Sequence, residues 1–156
     1  MKLIEDTRQK AGRHDLKHEH FKAMGVELIR SKLPFGDYAL PPRAAVDTKA
    51  SMQEIAQNIG GTQEEHARFR RELVAARDAG CKLFVLVENH DGIACLDQVA
   101  YWVNPRLELS PKAINGPRLC KAMKTMQERY GVTFVFCRPE EAAERVEYLL
   151  REASYE

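Results

Sequence analysis

The run Lys82-Leu83-Phe84-Val85-Leu86-Val87 constrains the fold more than any other stretch of the chain. It is apolar at nearly every position rather than every second one, which predicts a central strand buried on both faces. Val132-Thr133-Phe134-Val135-Phe136-Cys137 predicts a second. Strands covered on two sides need helices above and below. Helical signals fall over residues 15–24, 51–59, 63–79, 115–130 and from 139 onward. Ser51-Met52-Gln53-Glu54 reads as a capping box, Pro117 sits in a first helical turn, and Gly25 and Gly131 are stop signals.

Shorter strands are expected at Lys2-Leu3-Ile4-Glu5, at residues 26–30, 35–40 and 45–49. The last three follow one another too closely for crossovers, which predicts an antiparallel meander. The expected fold class is α/β: a central mixed β-sheet flanked by helices. The chain has 156 residues, 44% of them hydrophobic and 30% charged, with a net charge of +1, which fits one domain over 1–156 with a real core. No apolar run reaches the length of a membrane span, and acidic residues follow the N-terminus too soon for a signal peptide, so a cytoplasmic, membrane-free protein is expected. The four cysteines have no paired spacing and read as buried free thiols. Trp102 reads as core.

Chemistry concentrates in Phe35-Gly36-Asp37-Tyr38-Ala39-Leu40 and Ala45-Val46-Asp47-Thr48-Lys49, two strands joined by the turn at 41–44. Alternation along a strand sends Asp47 and Lys49 to one face and Thr48 to the other. Gly36 fits a tight bend that presents Asp37 at a strand mouth. Two carboxylates can hold Mg²⁺ through oxygen, and a neighbouring lysine can orient the attacking water and stabilise developing negative charge in phosphodiester hydrolysis. Asp-x-Lys alone also describes an ordinary charged hairpin. His14 and His18 have an i, i+4 spacing, but nothing nearby completes a metal signature, and a solvated face is the better expectation. Glu88 ends the central strand, where a site is assembled or where the strand leaves for solvent.

Net charge is small, so any nucleic-acid surface must be local. Between residues 64 and 78 the charges balance, and Arg68, Arg70 and Arg71 read equally well as salt-bridged surface or as phosphate contacts. Residues 104–126 carry five cations, among them Lys112, Arg118, Lys121 and Lys124, against the single acid Glu108. Leu119, Ala122, Met123 and Met126 form the apolar stripe of that helix, which leaves Arg118 and Lys121 on another side near a helix N-terminus that favours phosphate.

Asp6-Thr7-Arg8-Gln9, Gly36-Asp37-Tyr38, Val46-Asp47-Thr48-Lys49 and Leu86-Val87-Glu88 occur in that order over residues 3–88. Together they resemble the nuclease domain of XPF-type structure-specific endonucleases, of the PD-(D/E)XK superfamily, whose pattern is Asp-x-Arg-Glu, Gly-Asp-Tyr, Val-Glu-Arg-Lys with an Asp four residues on, then an apolar strand ending in Glu. The segment 121–137 resembles compact phage or bacterial members.

The resemblance implies a restriction-endonuclease-like core and a Mg²⁺-dependent endonuclease, with Mn²⁺ able to substitute, acting on branched, flapped or otherwise structured DNA. It implies that Asp37, Asp47 and the Thr48 carbonyl bind the metal, that Lys49 is catalytic, that Asp6 and Arg8 stand at the rim, and that Glu88 supports the site. Backbone contacts are expected from Arg68, Arg71, Lys112, Arg118, Lys121 and Lys124. The sequence departs from the pattern at Asp47, Thr48, Gln9 and Gln53, and the departures at Thr48 and Gln53 motivate the alternative of an inactive nuclease fold that binds DNA or recruits a partner. Large family members add a helix-hairpin-helix module for which this chain has no room, implying a homodimer through the nuclease domain or a nuclease partner protein.

Overall fold

The computed structural model describes residues 1–8, 12–41 and 43–154. Gln9 and Pro42, read above as parts of a loop and a turn, lie outside the described residues. Strand β1 (Lys2–Asp6) is followed by helix α1 (Asp15–Ala23) and β2 (Glu27–Ser31), and the intervening helix lets β1 and β2 pair in parallel. The chain then steps back across β1, so that β3 (Tyr38–Leu40) pairs antiparallel with both β1 and β4 (Ala44–Lys49). Helices α2 (Met52–Gly60) and α3 (Gln63–Asp78) lead to β5 (Lys82–Glu88), and α4 (Gly116–Tyr130) leads to β6 (Thr133–Cys137), with β4, β5 and β6 all parallel. Helix α5 (Ala142–Ser154) closes the chain. The six strands run in the order β2-β1-β3-β4-β5-β6.

The sheet is mixed and flanked by helices, as the apolar runs require. The meander is corrected: β2 never touches β3, because β1 lies between them, and only β3 and β4 form a hairpin. The links are short, but a six-residue connection can pass the end of a neighbouring strand, which residue spacing alone does not reveal.

Alternation along β4 and β5 divides the core into two layers. Ala45, Val85 and Val87 face α2, α3 and α4, packing against Met52, Ile55, Phe69 and Leu73. Ala44, Val46 and Leu86 face α1 and α5, against Phe21, Val146 and Leu150. Each large aliphatic chain fully buried here contributes about 1.5–3 kcal/mol. Ser51 Oγ caps α2 by accepting the Glu54 N–H at 3.1 Å, while the reciprocal capping box belongs to Thr62 and Glu65 at the start of α3.

Helix α1 departs from its apolar reading. Phe21 and Lys17 are buried, whereas Leu16 and Met24 stand out in solvent. His14 and His18 are not a solvated pair: His14 is buried with Nδ1 2.8 Å from the Tyr38 hydroxyl, and His18 Nε2 lies 2.6 Å from Glu5 Oε2. Both serve a polar network beneath the sheet. Trp102 is buried with its indole N–H on Asp91, and all four cysteines are free, although only Cys120 and Cys137 are buried, Cys81 being half-buried and Cys95 exposed. No helix among the described residues is long and apolar enough to cross a membrane.

Candidate active site

The Asp37 main chain is fixed by two strands. Its N–H donates to the Val46 carbonyl and its carbonyl accepts the Asp6 N–H, both at 2.8 Å. Gly36 before it has φ +77°, and a β-carbon there would sit 3.2 Å from both the Ala45 side chain and the Val46 carbonyl oxygen, so glycine is the residue this bend accepts. The bend delivers the Asp37 carboxylate to Thr48. Asp37 Oδ2 accepts the Thr48 N–H at 2.8 Å and the Thr48 hydroxyl at 2.6 Å.

Asp47 and Lys49 share a face, as alternation requires, and Lys49 Nζ lies 2.9 Å from Asp47 Oδ2. Both side chains are nearly withdrawn from solvent, and the Lys49 ammonium sits 5.0 Å from the centre of the Phe69 ring. Despite its closeness to Lys49, Asp47 Oδ2 is buried without a hydrogen bond of acceptable geometry.

A third carboxylate comes from α3. Glu72 Oε1 accepts the Gly36 N–H at 2.9 Å, tying the helix to the bend that carries Asp37. Burial pushes the Asp47 carboxyl well above the usual range, with the charges of Glu72 and Asp37 adding to the rise against the opposing pull of Lys49. Glu72 is raised in the same way, by burial and then by Asp37. Burial disfavours the charged Lys49, yet the attraction of Asp47 and Glu72 outweighs it and holds the ammonium above its ordinary value. The result is a cluster of acids about one cation, short of positive charge.

The residues expected at the rim hold a loop. Asp6 accepts the Leu33 N–H at 3.0 Å and pairs with Arg8 at 3.1 Å, and the Arg8 guanidinium also donates to the Leu33 carbonyl. Glu88 stands on the Thr48 face of the sheet. In the parallel register Thr48 lies beside Leu86, so Glu88 points to the α1 side, where it pairs with buried Lys17 at 2.6 Å and the Asp37 charge reaches it. The structure therefore brings Asp37, Asp47, Thr48 and Lys49 together, with Asp6 and Arg8 alongside and Glu88 on the face opposite Asp47 and Lys49.

Glu72 was missed from the sequence. Its signal is helical periodicity, since it follows the inward-facing Phe69 by three residues and so shares its side of α3.

The cations expected on the surface separate into two kinds. Arg68 pairs with Glu64 at 3.8 Å and Lys124 with Asp97 at 2.7 Å, while Arg71, Lys112, Arg118 and Lys121 are exposed with no acid partner among the described residues. Lys112 lines a groove between α2 and residues 104–114, and Arg118 and Lys121 line another beside α4.

No family profile and no curated protein matches this chain. Among solved structures it is similar to XPF from Aeropyrum pernix, at 19% identity with a TM-score of 0.70, over 99% of this chain and 65% of the other. XPF from the same organism in complex with DNA matches over the same shares, at 19% identity and a TM-score of 0.69. The chain has an XPF-like fold. It spans just under two thirds of the length of those XPF chains, 65%.

Proposed function

We propose that this protein is a metal-dependent DNA endonuclease, hydrolysing phosphodiester bonds in branched, flapped or otherwise structured DNA. The observation that carries the reading is the convergence of Asp37, Asp47 and Lys49 at the ends of β3 and β4, in a fold shared with a protein whose structure includes DNA.

The donor set suits Mg²⁺ or Mn²⁺. Asp47 Oδ2 is buried against the Lys49 ammonium without a hydrogen bond of acceptable geometry, and burial, with neighbouring acids adding to it, pushes the Asp47 and Glu72 carboxyls up. Among the described residues no three His, Cys, Asp or Glu side chains form a ready cage. Mg²⁺ commonly takes one or two carboxylates and completes its shell with water and substrate phosphate. Asp37, Asp47 and the Thr48 carbonyl would hold it, and it would supply Lewis-acid stabilisation of the phosphoryl oxygens and a more acidic bound water.

The chain's own contributions follow from geometry. Thr48 fixes the direction of the Asp37 carboxylate. Lys49, kept charged by Asp47 and Glu72, orients the attacking water and opposes the negative charge that grows in the transition state. Arg71, Lys112, Arg118 and Lys121 hold the DNA backbone, assisted by a second copy of the chain or by a partner protein. Arg68 and Lys124 join them only after giving up their acids.

The test is nicking of linear, flapped, forked and four-way DNA with Mg²⁺. Asp37→Ala and Lys49→Ala are expected to abolish cleavage while circular dichroism stays native; full activity in either variant overturns the assignment. The second reading, an inactive DNA-binding module, draws on the Asp37 oxygen already engaged by both Thr48 donors. Calorimetric titration with Mn²⁺ separates the two, because an inactive scaffold need not take up metal.

A further inference from the structure

Between α3 and α4 runs a groove of about 450 Å³, within the size range of ligand pockets, roughly 300 to 1,000 Å³. Arg118, Lys121 and Arg129 line it from α4, and no carboxylate does. None of the three has an ion pair or side-chain hydrogen bond among the described residues, in contrast to neighbouring Lys124, neutralised by Asp97. They recur on one side of the helix over eleven residues, about 16 Å, long enough to accompany several successive phosphates.

The floor is apolar. Met126 is 6% exposed, and the Tyr130 ring is held by the Arg77 guanidinium, 5.7 Å from its centre. His66 completes the wall. Its Nδ1 lies 3.0 Å from the Ile59 carbonyl, which can only accept, so that nitrogen carries the proton and Nε2 remains for a ligand.

We propose that this groove binds an unpaired nucleic-acid strand, its phosphates on Arg118, Lys121 and Arg129 and a base against Met126 and Tyr130. A duplex presents phosphate and sugar to such a wall and keeps its bases stacked, leaving the apolar floor uncovered; a single strand can satisfy both halves. The groove is also placed to continue the candidate active site. Helix α2 begins three residues after Lys49 and ends at the groove through Ile59, and its nine residues span about 13 Å. The inference rests on the nuclease reading for the kind of polymer bound, and it assigns the groove to the single-stranded arm of a structured substrate.

Fluorescence anisotropy in EDTA, which prevents metal-dependent cleavage, tests it with a blunt duplex and the same duplex carrying a ten-nucleotide overhang. The wild-type chain is expected to bind the overhang form at least tenfold more tightly. The exposed triple variant Arg118→Ala, Lys121→Ala, Arg129→Ala should lose that advantage to within twofold, with a shallower dependence on salt. Lys22→Ala with Lys32→Ala, which removes two unpaired cations outside the groove, should keep it. No wild-type advantage, an unchanged advantage in the triple variant, or competition by poly-glutamate as effective as by oligo-dT overturns the proposal. Overhang preference without cleavage of any DNA in Mg²⁺ sinks the nuclease reading and leaves the groove assignment standing.

Discussion

Thr48 gives Asp37 two hydrogen bonds from one residue, its N–H at 2.8 Å and its hydroxyl at 2.6 Å, both to the same carboxylate oxygen. The pairing links the mouth of β3 to the end of β4 and decides where the Asp37 charge points. Thr48→Val keeps the shape and the N–H but removes the hydroxyl. Loss of a hydrogen bond to a charged group is expected to cost about 1.5–3 kcal/mol in urea melts. Loosening an outer partner of a metal-binding carboxylate is expected to weaken Mg²⁺ affinity about 10- to 100-fold by calorimetry. Unchanged affinity would separate Thr48 from the metal site.

Glu72 acts on the site through both its oxygen and its charge. Glu72→Gln retains an acceptor for the Gly36 N–H and removes one of the carboxylates that keep Lys49 charged. Nicking is expected to fall about 10- to 100-fold with little change in stability. The alkaline limb of the pH–rate profile should move to lower pH, because the Lys49 ammonium loses support. Glu72→Ala also leaves the amide unpaired and is expected to cost a further 1–3 kcal/mol or so. A profile that does not move in Glu72→Gln rejects the electrostatic role.

Much of this was legible before any coordinates. The run 82–88 demanded a sheet covered on both sides, and alternation alone put Asp47 and Lys49 together. What could not be read was which strand lies beside which. The place of β1 between β2 and β3 is held by its ladder to β3, which joins Ile4 and Glu5 to Ala39 and Tyr38, residues far apart in sequence. The same limit applies to Glu88. A strand end looks like a site end, but its parity depends on the β4–β5 register, which puts it on the Thr48 face, opposite Asp47 and Lys49. Glu72 was hidden for the opposite reason: in a helix of balanced charge, one glutamate is distinguished from the others only by following Phe69 at helical spacing.

Glu88 gives the sharpest separation between structure and activity. It forms a buried pair with Lys17, whose side chain is 7% exposed, on the face away from Asp47. Removing one partner of such a pair leaves a buried charge without compensation, expected to cost about 3–5 kcal/mol. Glu88→Gln should therefore lower the urea midpoint, while the folded fraction retains Mg²⁺-dependent nicking. Lys17→Met combined with Glu88→Leu should recover most of the stability, since the charges depart together. A cleavage loss that persists in this stable double variant would return Glu88 to the catalytic machinery.

His14 makes stability depend on pH in a direction that can be worked out. Burial, aided by the Lys17 charge, lowers its pKa from 6.5 to about 4. Between those values the unfolded chain takes up a proton that the folded chain refuses, so this residue's contribution to stability is complete above 6.5 and is lost as pH falls toward 4. The full window corresponds to roughly 3 kcal/mol. His14→Gln stays neutral throughout and forgoes the ring contact with Tyr38, so its absolute stability is expected to be lower. The decisive reading is the difference between variant and wild type from pH 4 to 7. That difference should shrink as the solution is acidified, because only the wild type loses stability through His14. The raised carboxyls of Asp47 and Glu72 act in the opposite sense in both proteins and drop out of the comparison. A difference that stays constant with pH shows that His14 titrates alike in the folded and unfolded chains.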